Sequence, residues 1–322
     1  MSRKKISFAG EAFNFEEWIE PGGQNPNAIV QPVAPKVDAG EVSDSRVFYR
    51  SFGSGSSGNC CYVGTASGGL LIDAGIREDA VESLLKSDGI GMHMIKGILL
   101  THDHHDHIKY VYKFLRNYKG ISLFCTNRVM NGIMRHHNVS RRLKDFHVPI
   151  FKEIPFTVGD FEVTAFETSH DGTDNMGFSL QYGGRRFVLA TDMGEVTPRA
   201  HFYISKANYL VVESNYDLQM LMEGRYPEHL KARIVTPKGH MDNDQTASLL
   251  KELWNKDMRY IFLCHLSAEN NTPSKALIAS MEALRSRGLT IGNGDGSIAD
   301  RAADVSIMAL PRLEPSRLFI FR

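Results

Sequence analysis

The chain has 322 residues, 42% apolar and 23% charged, and its 37 basic and 37 acidic side chains leave no net charge. That composition is that of a soluble globular protein long enough to bury a core unaided, and it excludes attraction of nucleic acid by an overall field, so such a partner needs a local basic patch. Cys60, Cys61, Cys125 and Cys264 form no CxxC pair, no apolar run is long enough to span a membrane, and no apolar segment follows the basic start, so a reducing, cytoplasmic setting without a membrane partner is expected.

Residues 1–46 are rich in Pro, Gly, Asn and Asp without helical or strand periodicity, which predicts an irregular extension ahead of one domain at 47–322. From Val47, VFYRSF, NCCYVG and GLLID read as strands, the segment after Arg77 as a helix, and IKGILL as an apolar strand ending at Thr101. IKYVYKFLRNY predicts the next helix, ISLF a strand, and 129–137 another helix. A β-rich stretch follows over 151–190, divided by the turn signals Gly159-Asp160 and Gly183-Gly184. YLVVES and RYIFLCHLS are later buried strands, with helices between and after them. Hairpins mixed with crossovers predict an α/β arrangement of sheets covered by helices.

The stretch THDHHDHI, residues 101–108, sits where an apolar strand ends and a helix begins. Each histidine offers a ring nitrogen to a divalent ion and each aspartate offers hard oxygen, whereas a solvated polar turn has no need of such density. In extended backbone His102 and His104 point the same way, while Asp103 and His105 face elsewhere. Asp106 and His107 approach from the following turn and can reach a second ion. Further ligands are expected just after strands, where His170 (FEVTAFETS), Asp192 (RFVLAT) and His265 (YIFLC) each end an apolar run.

The order Asp73 (LLIDAG), THDHHDH, His170, Asp192 (ATDMG) and His265 resembles the metallo-β-lactamase fold superfamily. GSGSSGN, ETSHD, VVESNYDLQMLMEGRYPEHLKARI, GHMDN and HLSAENN make the chain similar, from Phe52 to Asn271, to its YycJ/WalJ/VicX branch of nucleases. The metal motif specifies only the superfamily; the ESNYD to GRYP run is more specific to the branch. The resemblance implies an αββα sandwich, two mixed sheets packed face to face with helices outside. It implies two divalent metal ions, zinc by default for N/O ligands and manganese as the alternative. His102, His104 and His170 would hold the first, Asp106, His107 and His265 the second, and Asp192 would bridge them. Asp73 would orient the ligands without touching metal. The implied activity is 5′-to-3′ exonucleolytic cleavage of DNA.

Two ions about 3.5–4 Å apart can share a hydroxide and polarise a scissile ester. Asp106 could orient that hydroxide or accept its proton. This chemistry serves lactams, thioesters, lactones and phosphodiesters alike, so a thioester or lactone hydrolase, RNA in place of DNA, and a non-catalytic metal sensor remain alternatives. Three features favour a phosphodiester. Glu213 (VVESN) and His240 (KGHMDN) stand in contexts similar to a Glu and a His that protonate the leaving oxygen in related tRNA 3′-processing enzymes; Glu213 would orient His240 as general acid, the alternative being a structural His after a glycine turn. GSGSSGN reads as a tight turn whose Ser54, Ser56, Ser57 and Asn59 could meet a phosphate, with Asn215 and Arg225 as further substrate contacts. Residues 134–144 hold Arg135, His136, His137, Arg141, Arg142 and Lys144, and a second basic stretch holds Arg225, Lys231, Arg233 and Lys238. The short intervals from His170 to Asp192 and on to His265 leave no room for the tRNA-clamping arm or the extra domain of larger superfamily nucleases.

Overall fold

The computed structural model describes residues 45–321, so the expected irregular extension lies, up to residue 44, outside the described residues. The first half of the chain supplies β1 (Val47–Gly53), β2 (Cys60–Thr65), β3 (Gly68–Ile72), β4 (Ile95–Leu99), β5 (Ser122–Cys125) and β6 (His147–Pro149). The second half supplies β7 (Phe156–Val158), β8 (Phe161–Glu167), β9 (Met176–Tyr182), β10 (Arg185–Ala190), β11 (Tyr209–Glu213), β12 (Tyr260–Cys264), β13 (Ile291–Gly292) and β14 (Val305–Ala309), before β15 (Phe319–Phe321) returns to the first sheet. The sheets run β15-β1-β2-β3-β4-β5-β6 and β13-β14-β12-β11-β10-β9-β8-β7.

Both sheets are mixed. β1, β2 and β3 pair antiparallel, as do β7 to β10, because short turns join them. The β3-β4-β5-β6 and β10-β11-β12-β14 neighbours pair parallel, which demands crossovers, and helices supply them. The helix Pro198–Ile204, for example, carries the chain from β10 to β11.

Strand periodicity decides the layers. In β10, β11 and β12 the residues Phe187, Leu189, Tyr209, Val211, Phe262 and Cys264 face the core shared with the first sheet. Their neighbours Val188, Ala190, Leu210, Val212, Ile261 and Leu263 pack instead with Leu249, Leu250 and Leu253 of helix Asn243–Leu253 and with Ala276 and Leu284 of helix Pro273–Arg285. Both faces are apolar, which is why these strands read as continuous hydrophobic runs. Tyr49 of β1 closes the inter-sheet core against Phe187 and Phe262, with ring centroids 5.1 and 4.8 Å away. The arrangement is an αββα sandwich.

Two local readings need correction. The helix expected from Ile108 begins earlier and breaks: His105–Ile108 is helical, and a second helix runs Val111–Asn117. Between them the Tyr110 N–H is diverted to the Ala74 carbonyl while the Ala74 N–H meets the His107 carbonyl, so the β3 exit is stitched across the metal motif. The edge strand β6 was not foreseen; its Pro149 is tolerated at an edge because a ladder there needs few donors. Among the described residues no helix is long and apolar enough to cross a membrane, and all four cysteines are buried and unpaired.

Candidate metal centre

Every expected ligand sits at, or just beyond, a strand or in the His102–His107 turn. Asp73 follows β3, His170 follows β8, Asp192 follows β10, Glu213 ends β11 and His265 follows β12. Asp73, Asp192 and His265 adopt left-handed backbone, with φ of 61°, 51° and 54°. Such conformations cost a non-glycine residue about 1–3 kcal/mol. These side chains meet residues of other segments, Asp73 meeting Thr101 and His107, and Asp192 lying beside His107 and His265.

The side chains converge in overlapping sets. Ligand atoms of His102, His104 and His170 lie within 4.8 Å of one another, as do those of Asp106, His107 and His265, and those of His102, His107 and Asp192. The hydrogen bonds behind the rings fix which nitrogen each histidine presents. His107 Nδ1 is 2.7 Å from Asp73 Oδ2, His170 Nδ1 donates to the Gly239 carbonyl at 2.9 Å, and His265 Nδ1 is 2.9 Å from Glu213 Oε1. His102 Nδ1 lies 3.0 Å from the Thr101 hydroxyl. In all four the Nε2 is the nitrogen turned to the centre, the arrangement by which outer partners fix ligand tautomers, although at His107 it also lies 2.9 Å from the Asn59 amide nitrogen. The Nε2 atoms of His102 and His265 are buried with no hydrogen-bond partner. Two orphaned, inward-facing imidazole nitrogens in a set of five histidines and two aspartates fit divalent metal and little else.

The electrostatics are divided. Burial holds His102, His104 and His170 below the ordinary imidazole range, so these rings are neutral and carry a free lone pair. Burial pushes the same way at His107 and His265, but is outweighed there: Asp73, Asp106 and Asp192 raise His107 to about 9, and Asp192, Asp106 and Glu213 raise His265. Burial disfavours charge on Asp192, yet His265, His107 and the neighbouring rings hold its carboxyl well below the usual range. A divalent cation held here would supply the positive charge these carboxylates draw and would displace protons from His107 and His265.

Several side chains are not where the sequence reading placed them. Asp103, expected to face away, is buried and accepts from the Thr173 N–H (2.8 Å) and hydroxyl (2.5 Å), which ties the loop bearing His170 to the metal motif. His105 is exposed. Ser54, Asn59 and Asn215, expected to touch substrate, are buried and spent internally. The Ser54 hydroxyl accepts from the His265 N–H, Asn59 donates to Asp106 Oδ2, and Asn215 donates to the His265 carbonyl. Ser56, Ser57 and Arg225 are exposed. In the second basic stretch Lys231 is buried against the Met222 carbonyl, and Arg233 pairs with Asp171 at 2.6 Å, leaving Lys238 exposed. Sequence reasoning missed Thr101, whose hydroxyl meets Asp73, His102 and His107, and Asp171, 3.3 Å from His104 Nε2.

Glu213 is fully buried. Its Oε1 accepts from His240 Nδ1 at 2.8 Å as well as from His265, and its Oε2 accepts from the backbone N–H groups of Met193 and Met241 at 2.9 and 3.3 Å. Burial works against its charge, but His240 and His265 hold the carboxyl below its ordinary range. His240 stands with its ring 4.9 Å from His170 and 5.2 Å from His265.

Comparison with known proteins gives a consistent picture. Residues 70–265 match the family model described as a beta-lactamase superfamily domain. The chain is 34% identical over 245 residues to exodeoxyribonuclease YycJ of Bacillus anthracis, covering 74% of this chain and 89% of that protein. It is 31% identical over 260 residues to exodeoxyribonuclease WalJ of Streptococcus pneumoniae, covering 80% and 95%. In fold alone it is similar to Zn(2+)-bound PqqB from Methylobacterium extorquens, with a TM-score of 0.58 and 13% identity over 84% of this chain and 99% of that one. The matched segment encloses every residue of the three ligand sets, and the chain accordingly belongs to the metallo-β-lactamase superfamily, in its YycJ/WalJ branch, and is a hydrolytic enzyme.

Proposed function

We propose that the chain is a phosphodiesterase that shortens DNA exonucleolytically from the 5′ end, with two divalent metal ions, zinc by default and manganese as the alternative. The observation that carries the reading is the Glu213–His240 pair beside the ligand sets. With Nδ1 tied to a buried carboxylate, His240 has Nε2 as the atom able to hand over a proton, and its side chain keeps 17% of its surface open. A thiolate leaves unaided, because a thiol already ionises near pH 8.5. An alkoxide does not, so a dedicated proton donor suits a sugar oxygen leaving phosphorus better than a thioester.

The first ion would be held by His102, His104 and His170, the second by Asp106, His107 and His265, with Asp192 shared. When bound, such ions polarise a phosphoryl oxygen and bring the pKa of water towards roughly 7. Asp73, Thr101, Glu213 and the Gly239 carbonyl orient the rings, and Asp106, partly open to solvent, is placed to hold a proton beside them. The names of the two relatives, both exodeoxyribonucleases, support DNA and terminal attack. Arg135, His136, Arg141, Arg142 and Lys144 are exposed together on helix Asn127–His136 and the turn Arg141–Phe146. The His137 and His105 rings, 6.3 Å apart, put that surface beside the metal motif.

The test is cleavage of 5′- and 3′-labelled single strands and duplexes in Zn²⁺, Mn²⁺ or Mg²⁺, alongside the matching RNA, S-lactoylglutathione and a lactone. Release of the 5′ label first from DNA is expected. No DNA cleavage with any ion, or faster turnover of the thioester or lactone, overturns the reading; 3′ release overturns the polarity.

A further inference from the structure

The parallel strands that carry the metal ligands at their C-terminal ends build a second site at their other ends. Arg185 opens β10, Tyr209 opens β11, and Arg259 immediately precedes β12. With Arg301 and Arg317 from the following segments they line a cavity of about 500 Å³, a size that suits a small molecule. Tyr209 and Glu213 are the two ends of one strand, about 13 Å apart at the usual rise of ~3.3 Å per residue, so the cavity and the metal centre do not touch.

The lining has an excess of positive charge that the fold does not consume. Among the described residues none of the four arginines is held in an ion pair by a carboxylate. Arg259 donates to the Ala303 carbonyl and Arg317 lies over the Phe319 ring. Asp300 is the acidic residue of the lining, and its oxygens are already engaged by the Gly294 and Gly296 N–H groups and the Ser306 hydroxyl. Nearby, exposed Asp295 influences Arg317 and half-buried Asp304 influences Arg259, each through space. Tyr209 is 1% exposed, and its hydroxyl makes no well-formed hydrogen bond with a described residue, although Arg185 is close enough to affect its titration. A buried hydroxyl without a good partner, near Arg185 and Arg259 in a lining that also holds Arg301 and Arg317, is a site with one component missing.

We propose that this cavity binds a small phosphate-bearing anion, a phosphate monoester of nucleotide size, with the arginines pairing its oxygens and the Tyr209 hydroxyl donating to one of them. Guanidinium forks match phosphate geometry, and a phosphate dianion offers oxygens to several at once where a single carboxylate would leave most of them unpaired. The group could arrive on a free nucleotide or on the 5′-phosphorylated end of a strand, and the chemistry recognised is the same.

The test is calorimetric titration of the full chain with inorganic pyrophosphate, deoxyadenosine 5′-monophosphate and a 5′-phosphorylated oligonucleotide. It is repeated on His102→Ala, on the double variant Arg301→Gln/Arg317→Gln, and on Tyr209→Phe. Binding of pyrophosphate and the mononucleotide should survive His102→Ala and weaken roughly tenfold or more in the arginine double variant, by the loss of charged hydrogen bonds. Tyr209→Phe, which keeps the ring stacked on Phe321, should weaken it less. If the oligonucleotide competes with the mononucleotide in His102→Ala, the strand end is a source; if it does not, the free nucleotide is. Binding that disappears in His102→Ala and is unchanged in the arginine variant places the anion at the metal centre and overturns the proposal. Absence of binding of every probe at millimolar concentration overturns it as well. DNA cleavage, measured separately, tests the metal site and not this one.

Discussion

Glu213→Gln preserves volume and removes one acceptor from a group that has four donors to satisfy. Oε1 takes the two imidazole N–H groups of His240 and His265, and Oε2 takes the backbone N–H groups of Met193 and Met241. An amide has a single oxygen. If it faces the imidazoles, the amide nitrogen confronts two buried backbone donors. If it faces the backbone, both rings must shift their proton to Nε2, which on His265 is the orphaned atom offered to metal. Hydrogen bonds to a charged group are worth about 1.5–3 kcal/mol each, so losing two costs about 3–6 kcal/mol, either from stability or from metal affinity. At about 2–4 °C per kcal/mol the first branch lowers the Tm by on the order of 10 °C. Thermal and urea denaturation of the metal-free protein, together with metal content by mass spectrometry, separate the branches. A variant with unchanged Tm and full metal content would show that Glu213 is not the shared anchor of the two rings, and the argument would fail.

His240→Ala should leave metal content near that of the parent, cost about 1.5–3 kcal/mol in stability for the lost hydrogen bond to Glu213, and lower turnover about 10²–10⁴-fold, the usual range for a general acid; loss of metal instead would make His240 a ligand. Asp103→Ala frees the loop that bears His170 and should cost about 2–3 kcal/mol in urea unfolding, with weaker binding at the three-histidine set; an unchanged midpoint and affinity would count against the tie to Thr173. Gly75→Ala would place a Cβ 1.6 Å from the Asp106 carbonyl oxygen and 2.6 Å from the Asn59 nitrogen, so the motif backbone must move and metal uptake at the Asp106, His107 and His265 set should fall; normal uptake would refute it. If DNA tracks the exposed surface around Arg141 and Arg142, replacing both with Gln should reduce the slope of log affinity against log salt by about 2, and an unchanged slope would place the strand elsewhere.

What the chain announces about this site and what it conceals have separate physical origins. The convergence of the proposed ligands was legible from the density of His and Asp over 102–107 and from His170, Asp192 and His265 each closing an apolar run, where a polar residue is costly unless something engages it. Asp103 was misread because alternation with period two was carried through a turn that becomes helical at His105. Its burial depends on a loop some 70 residues away folding over it. Ser54, Asn59 and Asn215 have the small polar character of substrate contacts, but the partner of the Ser54 hydroxyl lies 211 residues away on the facing sheet. Lys231 looks like surface charge until its helix buries it against Met222.

The residues that orient the proposed metal ligands are hidden more deeply still. His107 is steered by a carboxylate, His102 by a hydroxyl, His265 by the carboxylate it shares with His240, and His170 by the backbone carbonyl of Gly239. The first three have a residue type that a reader of the sequence can look for. The fourth has none, because any residue at 239 would supply the same oxygen. What makes position 239 special is space: a Cβ there would fall 2.0 Å from the Ile234 carbonyl oxygen. The glycine lets the chain turn tightly enough for that carbonyl to reach His170 and for the next residue, His240, to reach Glu213. One missing methyl group thus positions both the acceptor that orients His170, a proposed ligand, and His240, the proposed proton donor.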